Sequence, residues 1–357
     1  MLTMKTAVWL VLGITACASA SKGKSQEIML DTLVVSAGPV ADLPTDIYDA
    51  DTVLHYAREA ERQHDYAKGQ RLNERLLREF PESKLVRAAR FARGRCIEAQ
   101  KSCEDAQPIY EAIRAENPEA YEISDWVDAH FREASCKLTL EKPKEAVDIL
   151  TQLLAYPKLT EPDRLEGRVG RGIAFKEVGL LDDAEVDFMH VLAMAHEHAE
   201  PPPEIRFTIA KASYHLGEVN RLRFEQLVLA YPMPVLEQRI EDKSQYLLRA
   251  QLYYLRAIRL GDLEAAAASG YRVGGMYEHF HEEITKLEAP TDLTKEQVKV
   301  YNEEVRTKVS VLLRKAVKIY EEACAMAQRT GLKSTWIERM QDSLDRIKKL
   351  YLVDISS

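Results

Sequence analysis

Histidines spaced two apart, a glycine-rich run and five cysteines are the residues of this 357-residue sequence whose types and spacing could do chemistry. His196 with His198, and His279 with His281, have the ligand type for a metal. On a helix, residues two apart point about 200° away from one another. Neither pair can therefore share an ion unless the helix ends there, as Pro201-Pro202-Pro203 would allow for the first pair. The run "GRVGRG", residues 167–172, has the glycine content of a phosphate loop. A dinucleotide fingerprint, however, has to follow a strand and open a helix, and no strand-like run precedes this one. HExxH and GxSxG patterns do not occur, and no Ser, His and carboxylate set stands out. The residues point to no catalytic site, no metal and no cofactor.

The elements that would carry other chemistry come from the rest of the chain. With 46% hydrophobic and 30% charged residues, it can bury a sizeable core. Its formal net charge of −8 and pI near 5.7 argue against a phosphate-binding surface, because such surfaces need clustered Lys and Arg. No nucleic-acid partner is expected.

The first residues, "MLTMKTAVWLVLGITAC", combine Lys5 with an apolar run and small residues at its end, the layout of a secretory signal and too short to span a bilayer as a mature helix. Ile14-Thr15-Ala16-Cys17 resembles the lipobox of bacterial lipoproteins. The resemblance implies a signal peptide over 1–16, cleavage before Cys17 and diacylation of that residue, with firm anchoring by two or three acyl chains. Ala18 and Ser19, with no Asp second, point by the sorting habit of Gram-negative lipoproteins to the periplasmic face of the outer membrane. The alternative is an ordinary secretory signal with an incidental Cys. Residues 17–48 read as an extended tether, since Pro39 and Pro44 disfavour helix.

From residue 49 the organisation is repetitive, with a period near that of the tetratricopeptide repeat (TPR), about 34 residues. Gly172, Phe175, Gly179, Ala184 and Phe188 fall where the repeat has Gly, Tyr, Gly, Ala and Phe. A second copy has Gly94, Ala106, Tyr110 and Pro118, and weaker ones contain Ala57, Tyr66, Leu76 and Pro81, then Ala134, Ala146, Leu150 and Pro157, then Ala210, Gly217 and Pro232. The chain thus resembles TPR proteins over residues 49–233. The resemblance implies an all-α, right-handed TPR-like α-solenoid of about five helical hairpins, whose groove holds a peptide or helix of a partner protein. By the repeat register, Cys96 lies on the first helix of a hairpin and Cys103 starts the second, so a Cys96–Cys103 disulfide is expected, against the alternative of four buried thiols (Cys96, Cys103, Cys136 and Cys324).

Residues 234–357 depart from the repeat and read as a C-terminal helical module. Thr294 and Gln297 have capping-box spacing at the start of a long helix over 292–329, and Gly331 fits its stop. A shorter helix is expected over 334–350. The segment "GYRVGGMYEHF" resembles a module of TPR lipoproteins in Gram-negative envelope machines, gliding-motility systems included. The bland reading makes Gly270, Gly274 and Gly275 sites of tight helix packing, with Arg272 and Glu278 as an ion pair.

One β-branched run stands apart. Asp31-Thr32-Leu33-Val34-Val35-Ser36-Ala37 resembles a TonB box, which adds a strand to the sheet of a TonB-like partner. The alternative reading docks this run along the protein's own solenoid or against a cognate partner. Together these readings give a non-enzymatic, lipid-anchored scaffold for envelope proteins. A periplasmic enzyme with its active site in the groove is the competing class.

Overall fold

The computed structural model describes residues 34–35, 42–43, 47–100, 102–116, 123–195, 202–261, 263–291 and 293–356. Ile14, Thr15, Ala16, Cys17, Asp31, Thr32, Leu33, Ser36, Ala37, Pro118, His196 and His198 lie outside them. The described chain opens with two short strands, β1 (Val34–Val35) and β2 (Ile47–Tyr48), and continues as helices. The first eight are α1 (Ala50–Arg62), α2 (Tyr66–Glu79), α3 (Val86–Ala99), α4 (Cys103–Arg114), α5 (Ile123–Thr139), α6 (Pro143–Leu154), α7 (Glu161–Val178) and α8 (Leu181–Ala195). The remaining five are longer: α9 (Pro203–Gln226), α10 (Met233–Leu260), α11 (Leu263–Thr285), α12 (Lys295–Thr330) and α13 (Thr335–Ser356).

Local chemistry sets the boundaries. Asp49 caps α1 by accepting from the Thr52 amide at 2.7 Å, and Asp65 caps α2 from Lys68 at 3.0 Å. Gly179 and Gly331 end α7 and α12 with positive φ, 90° and 71°, which glycine adopts without strain. At α12 both capping-box bonds form, Thr294 Oγ1 accepting from the Gln297 amide at 3.3 Å and Gln297 Oε1 from the Thr294 amide at 2.8 Å. The box starts the helix at Lys295, a turn inside the expected range, because the residues before a cap are not helical.

Helices pair as α1/α2, α3/α4, α5/α6, α7/α8, α9/α10 and α11/α12, with α13 closing the row. Each second helix packs on the first helix of the following pair, and the first helices touch one another from α1 to α13. Such a stack has no single centre. Its apolar interior runs as successive clusters, one around Leu54, Leu72 and Leu76, another around Phe188, Ile209 and Leu216, and the largest from Phe224 on α9 to Ile347 on α13. Pairing continues past residue 233, since α10 lies along α9 in the same way as α2 lies along α1.

The contact that builds each pair is a small residue beneath a large one. A Cβ on Gly94 would lie 2.8 Å from the Tyr110 ring, and one on Gly172 would lie 2.7 Å from that of Phe188. Ala106 and Ala184, one turn before these rings, are fully buried. "GRVGRG" sits inside α7, where Gly167 and Gly170 face Leu154 and Leu150 of α6. Its glycines admit neighbouring side chains, as expected of helix packing rather than of a phosphate loop.

Two expectations are corrected. The disulfide joins Cys103 to Cys136, not to Cys96, with the two Cα atoms 5.2 Å apart, well within bridging range. Cys103 is the first residue of α4 and meets the following hairpin on α5, whereas Cys96 is buried against Gly69 of the preceding hairpin, its sulfur 3.5 Å from Glu61 Oε1. Nor do Arg272 and Glu278 pair: Arg272 lies 3.1 Å from Glu218, and Glu278 pairs with Arg346. Six residues apart on one helix, their side chains point to different faces.

Candidate protein-binding surfaces

Along the row of first helices, the ring that covers each small residue often carries a hydroxyl, and that hydroxyl recruits a carboxylate. Tyr110 Oη donates to Glu98 at 2.6 Å, and Glu98 also accepts from Arg132 of the next first helix at 3.0 Å. The arrangement recurs twice. Tyr254 donates to Glu218, which Arg221 holds at 3.0 Å and Arg272 approaches from α11. Tyr320 donates to Glu278 at 2.5 Å, and Arg346 completes the set from α13. Each set links one hairpin to the next in a poorly hydrated setting, by a charge-assisted hydrogen bond from Arg132 or Arg346 and by an ion pair from Arg272.

The pKa directions follow from that setting. Burial, and then the carboxylate beside it, pushes the phenols of Tyr110, Tyr254 and Tyr320 far above their ordinary range. Burial would raise Glu218 as well, but its hydrogen bonds from Arg221 and Tyr254 outweigh that and hold the carboxyl below its usual value. At the fourth hairpin the set is missing. Phe188 has no hydroxyl, Lys176 stands where Glu98 would be, and His215 stacks on Phe188 at 5.6 Å between ring centres. Burial pushes His215 down to about 3, and its Nδ1 has no hydrogen-bond partner.

The open side of the first-helix row carries charge. Asp128 on α5 is solvent-accessible, yet its surroundings remove enough water to raise its carboxyl, with Arg132 opposing and Asp125 and Asp163 adding to the rise. Behind it, His130 is buried with Nδ1 2.8 Å from the Trp126 carbonyl, and burial lowers its pKa to about 4.

On the second-helix side, grooves lie over several of the first helices, and their chemistry changes along the stack. Over α3 the groove is lined by Gln70, Arg93, Ile97, Gln100, Ser102 and Asp105. Over α5 it is filled by ions, with Arg114 bridging Glu133 at 2.9 Å and Gln152 at 2.5 Å while Lys137 pairs with Glu145. Over α11 the groove is apolar, about 430 Å³ in volume, and lined by Leu255, Ile258, Leu263, Val273, Ile319 and Met326 among others.

The repeat residues read from the sequence are brought together as pairs: Gly94 with Tyr110 beside Ala106, and Gly172 with Phe188 beside Ala184. Phe175 is partly buried one turn further along α7, under the Arg171 guanidinium. Val34 and Val35 pair antiparallel with Tyr48 and Ile47 of the same chain. Tyr48 fastens this ribbon to the first hairpin by donating to Glu79 at 2.5 Å beneath the Arg75 guanidinium. Sequence reasoning missed two pairs, Gly217 with Tyr254 and Gly274 with Tyr320. Their signal was the Ala four residues before each ring, Ala250 and Ala316, as in Ala106 to Tyr110.

The fold is a TPR-like helical solenoid. No protein-family model matches the chain, and no curated protein matches it in sequence. Among solved structures it is similar to YrrB, described as a TPR protein with an unusual peptide-binding site, at 19% identity and a TM-score of 0.39 over 59% of this chain and 91% of that one. PilW, described as a widely conserved type IV pilus biogenesis factor, is similar at 17% identity and a TM-score of 0.43 over 71% and 98%. A TPR protein of Parabacteroides merdae is similar at 14% identity and a TM-score of 0.37 over 73% and 98%.

Proposed function

We propose that this chain is a non-enzymatic scaffold, anchored through acylated Cys17 to the periplasmic face of the outer membrane, that binds partner proteins of an envelope complex. The observation that carries the reading is the open stack itself: six helical pairs in a row leave a first-helix face and a series of second-helix grooves accessible along the chain. Stacks of this kind present extended surfaces to other proteins rather than one enclosed pocket. A disulfide between consecutive hairpins suits an oxidising compartment.

The test has two parts in the native host. Cys17→Ser should move the protein from the membrane fraction to the soluble periplasm; unchanged membrane retention would remove the lipid anchor from the reading. A photoreactive residue at Asp128 should capture a recurrent envelope protein, with capture lost when Arg132 is replaced. Repeated failure to capture any protein would sink the scaffold assignment.

A second reading makes the chain an energy-coupled or gliding-motility component that engages a TonB-like protein through residues 31–37. What favours it is that Val34 and Val35 adopt strand geometry in a two-stranded ribbon, and a ribbon has free edges to which a further strand can add. A photoreactive residue at Val34 would crosslink to a TonB-like protein on this reading, and only to residues near Tyr48 if the ribbon is merely structural.

A further inference from the structure

The large apolar side chains that remain exposed among the described residues all fall between Leu180 and Val311. The first three hairpins contribute none, and their second-helix grooves are polar over α3 and filled by ions over α5. On α10, Leu248, Leu252 and Leu255 recur at helical spacing on one side and are 57%, 65% and 41% exposed. Val186 and Met189 of α8 continue the strip at 67% and 42%, and Met189 touches the Tyr253 hydroxyl of α10. On the opposite flank of the Leu stripe opens the apolar groove over α11, with Leu255 and Ile258 of α10 on one wall and Ile319, Ala323 and Met326 of α12 on the other. Gly270 lies in its floor, where a Cβ would have ordinary contacts only, 3.7 Å from Ala323.

Charge along the α10 part of the strip has one sign, whereas the α8 part carries Asp182, Asp183 and Glu185. Residues 248–260 contain Arg249, Arg256 and Arg259 and no acid. No ion pair or hydrogen bond of the described residues holds these three guanidiniums. Across the groove, α12 presents Lys315, whose ammonium lies 5.2 Å from the Tyr277 ring, and Glu322, the charged residue of the groove's own lining, which Lys318 offsets at 3.9 Å. In a chain with net charge −8, this is a local reversal. An apolar groove flanked by the α10 guanidiniums and Lys315 matches a helix that is apolar on one side and acidic on the other.

We infer that the groove over α11, with the Leu248–Leu252–Leu255 stripe as its lip, is the docking site for an acidic amphipathic helix of a protein partner. This deepens the scaffold reading by naming a surface and the chemistry of what fills it. The partner helix sets its apolar residues between Leu255 and Ile319. Its Glu or Asp residues then face Arg256, Arg259 and Lys315.

The test uses the full chain and two synthetic peptides of about 18 residues, five helical turns. Both have Leu at the same i, i+3, i+4, i+7 positions; one carries Glu and the other Lys elsewhere. Binding is followed by fluorescence anisotropy. The Glu peptide should bind at least about tenfold more tightly than the Lys peptide, and added salt should narrow the gap. Leu252→Glu with Leu255→Glu should abolish binding, and Arg256→Glu with Arg259→Glu should reverse the preference. All four positions are at least partly exposed, so circular dichroism should show unchanged helix content. Equal binding of both peptides, or Glu-peptide binding that survives the Leu replacements, overturns the inference. So does binding to anionic phosphatidylglycerol vesicles that the same replacements remove, because the strip would then be a membrane contact. If crosslinking at Asp128 still captures a partner while these results fail, the scaffold reading stands and only the groove assignment falls.

Discussion

Gly274 and Gly275 are neighbours on α11, and alanine at each should move stability in opposite directions. A Cβ at Gly274 would enter the edge of the Tyr320 ring, 2.5 Å from Cζ and 2.9 Å from Cδ1, whereas at Gly275 the nearest such atom is the Tyr320 hydroxyl at 3.9 Å. Both changes gain about 0.5–1 kcal/mol from a better helix former in mid-helix. That gain cancels in the comparison. What remains is the overpacking at Gly274, about 1–3 kcal/mol. The upper half of that range is expected, because Tyr320 is fully buried and held by Glu278, so the ring cannot swing away cheaply. The variants should therefore differ by about 2 kcal/mol, or about 3 °C in melting midpoint for a chain of this size. Thermal melts followed by circular dichroism would measure the difference, and hydrogen exchange would assign it to α11 and α12. Tyr320→Leu should restore tolerance to Gly274→Ala, since the shorter side chain vacates the space. Equal midpoints for the two alanine variants would refute the close-approach account of the last helical pair.

Three further outcomes are expected. Replacing Cys103 and Cys136 by Ser, which frees a loop spanning a separation of 33 residues, should cost on the order of 4 kcal/mol by chain entropy, seen as a lower urea midpoint that reductant reproduces in the native chain. Acid should destabilise the fold through His130 and His215, pushed down to about 4 and about 3. Both are neutral when folded and protonate near pH 6.5 when unfolded, so their stability contribution is intact above that pH and falls by about 1.4 kcal/mol per pH unit for each as pH drops toward the folded values. A pH series of urea midpoints in which His130→Asn leaves the slope between pH 6 and 4.5 unaltered would remove the first of these. Tyr254→Phe takes a donor from buried Glu218, and the carboxylate should lose about 1–3 kcal/mol of support, measured as a shift in the unfolding midpoint larger than that of a Tyr246→Phe control at a partly buried ring.

Where the sequence could be read, the reason was that short helices keep the repeat in phase. Gly94 to Ala106 and Gly172 to Ala184 each span 12 residues, and the ring follows four later. In the last third the same small-residue, Ala and aromatic order survives, but the helices are 24 to 36 residues long over α9, α10 and α12, so Ala250 falls 33 residues after Gly217 and Ala316 falls 42 after Gly274. A search at fixed period misses them. The caps at Thr294 and Gly331 were legible because capping is local chemistry. The disulfide was not: register says which helix a cysteine is on, while pairing depends on which neighbouring hairpin its side chain meets. The apolar groove over α11 was equally hidden, since Leu255, Ile319 and Met326 occupy positions that look like any amphipathic helix until three helices are set side by side.

The bridge between Cys103 and Cys136 also governs how far the molecule can be drawn out. A chain pulled from its ends lengthens as hairpins peel away, each residue released adding about 3.4 Å. The cross-link short-circuits the load from α4 directly to α5, bypassing the 33-residue separation between them. About 110 Å of contour length is thereby withheld from extension until the sulfurs are reduced, which makes the oxidised solenoid a shorter spring than its sequence alone allows.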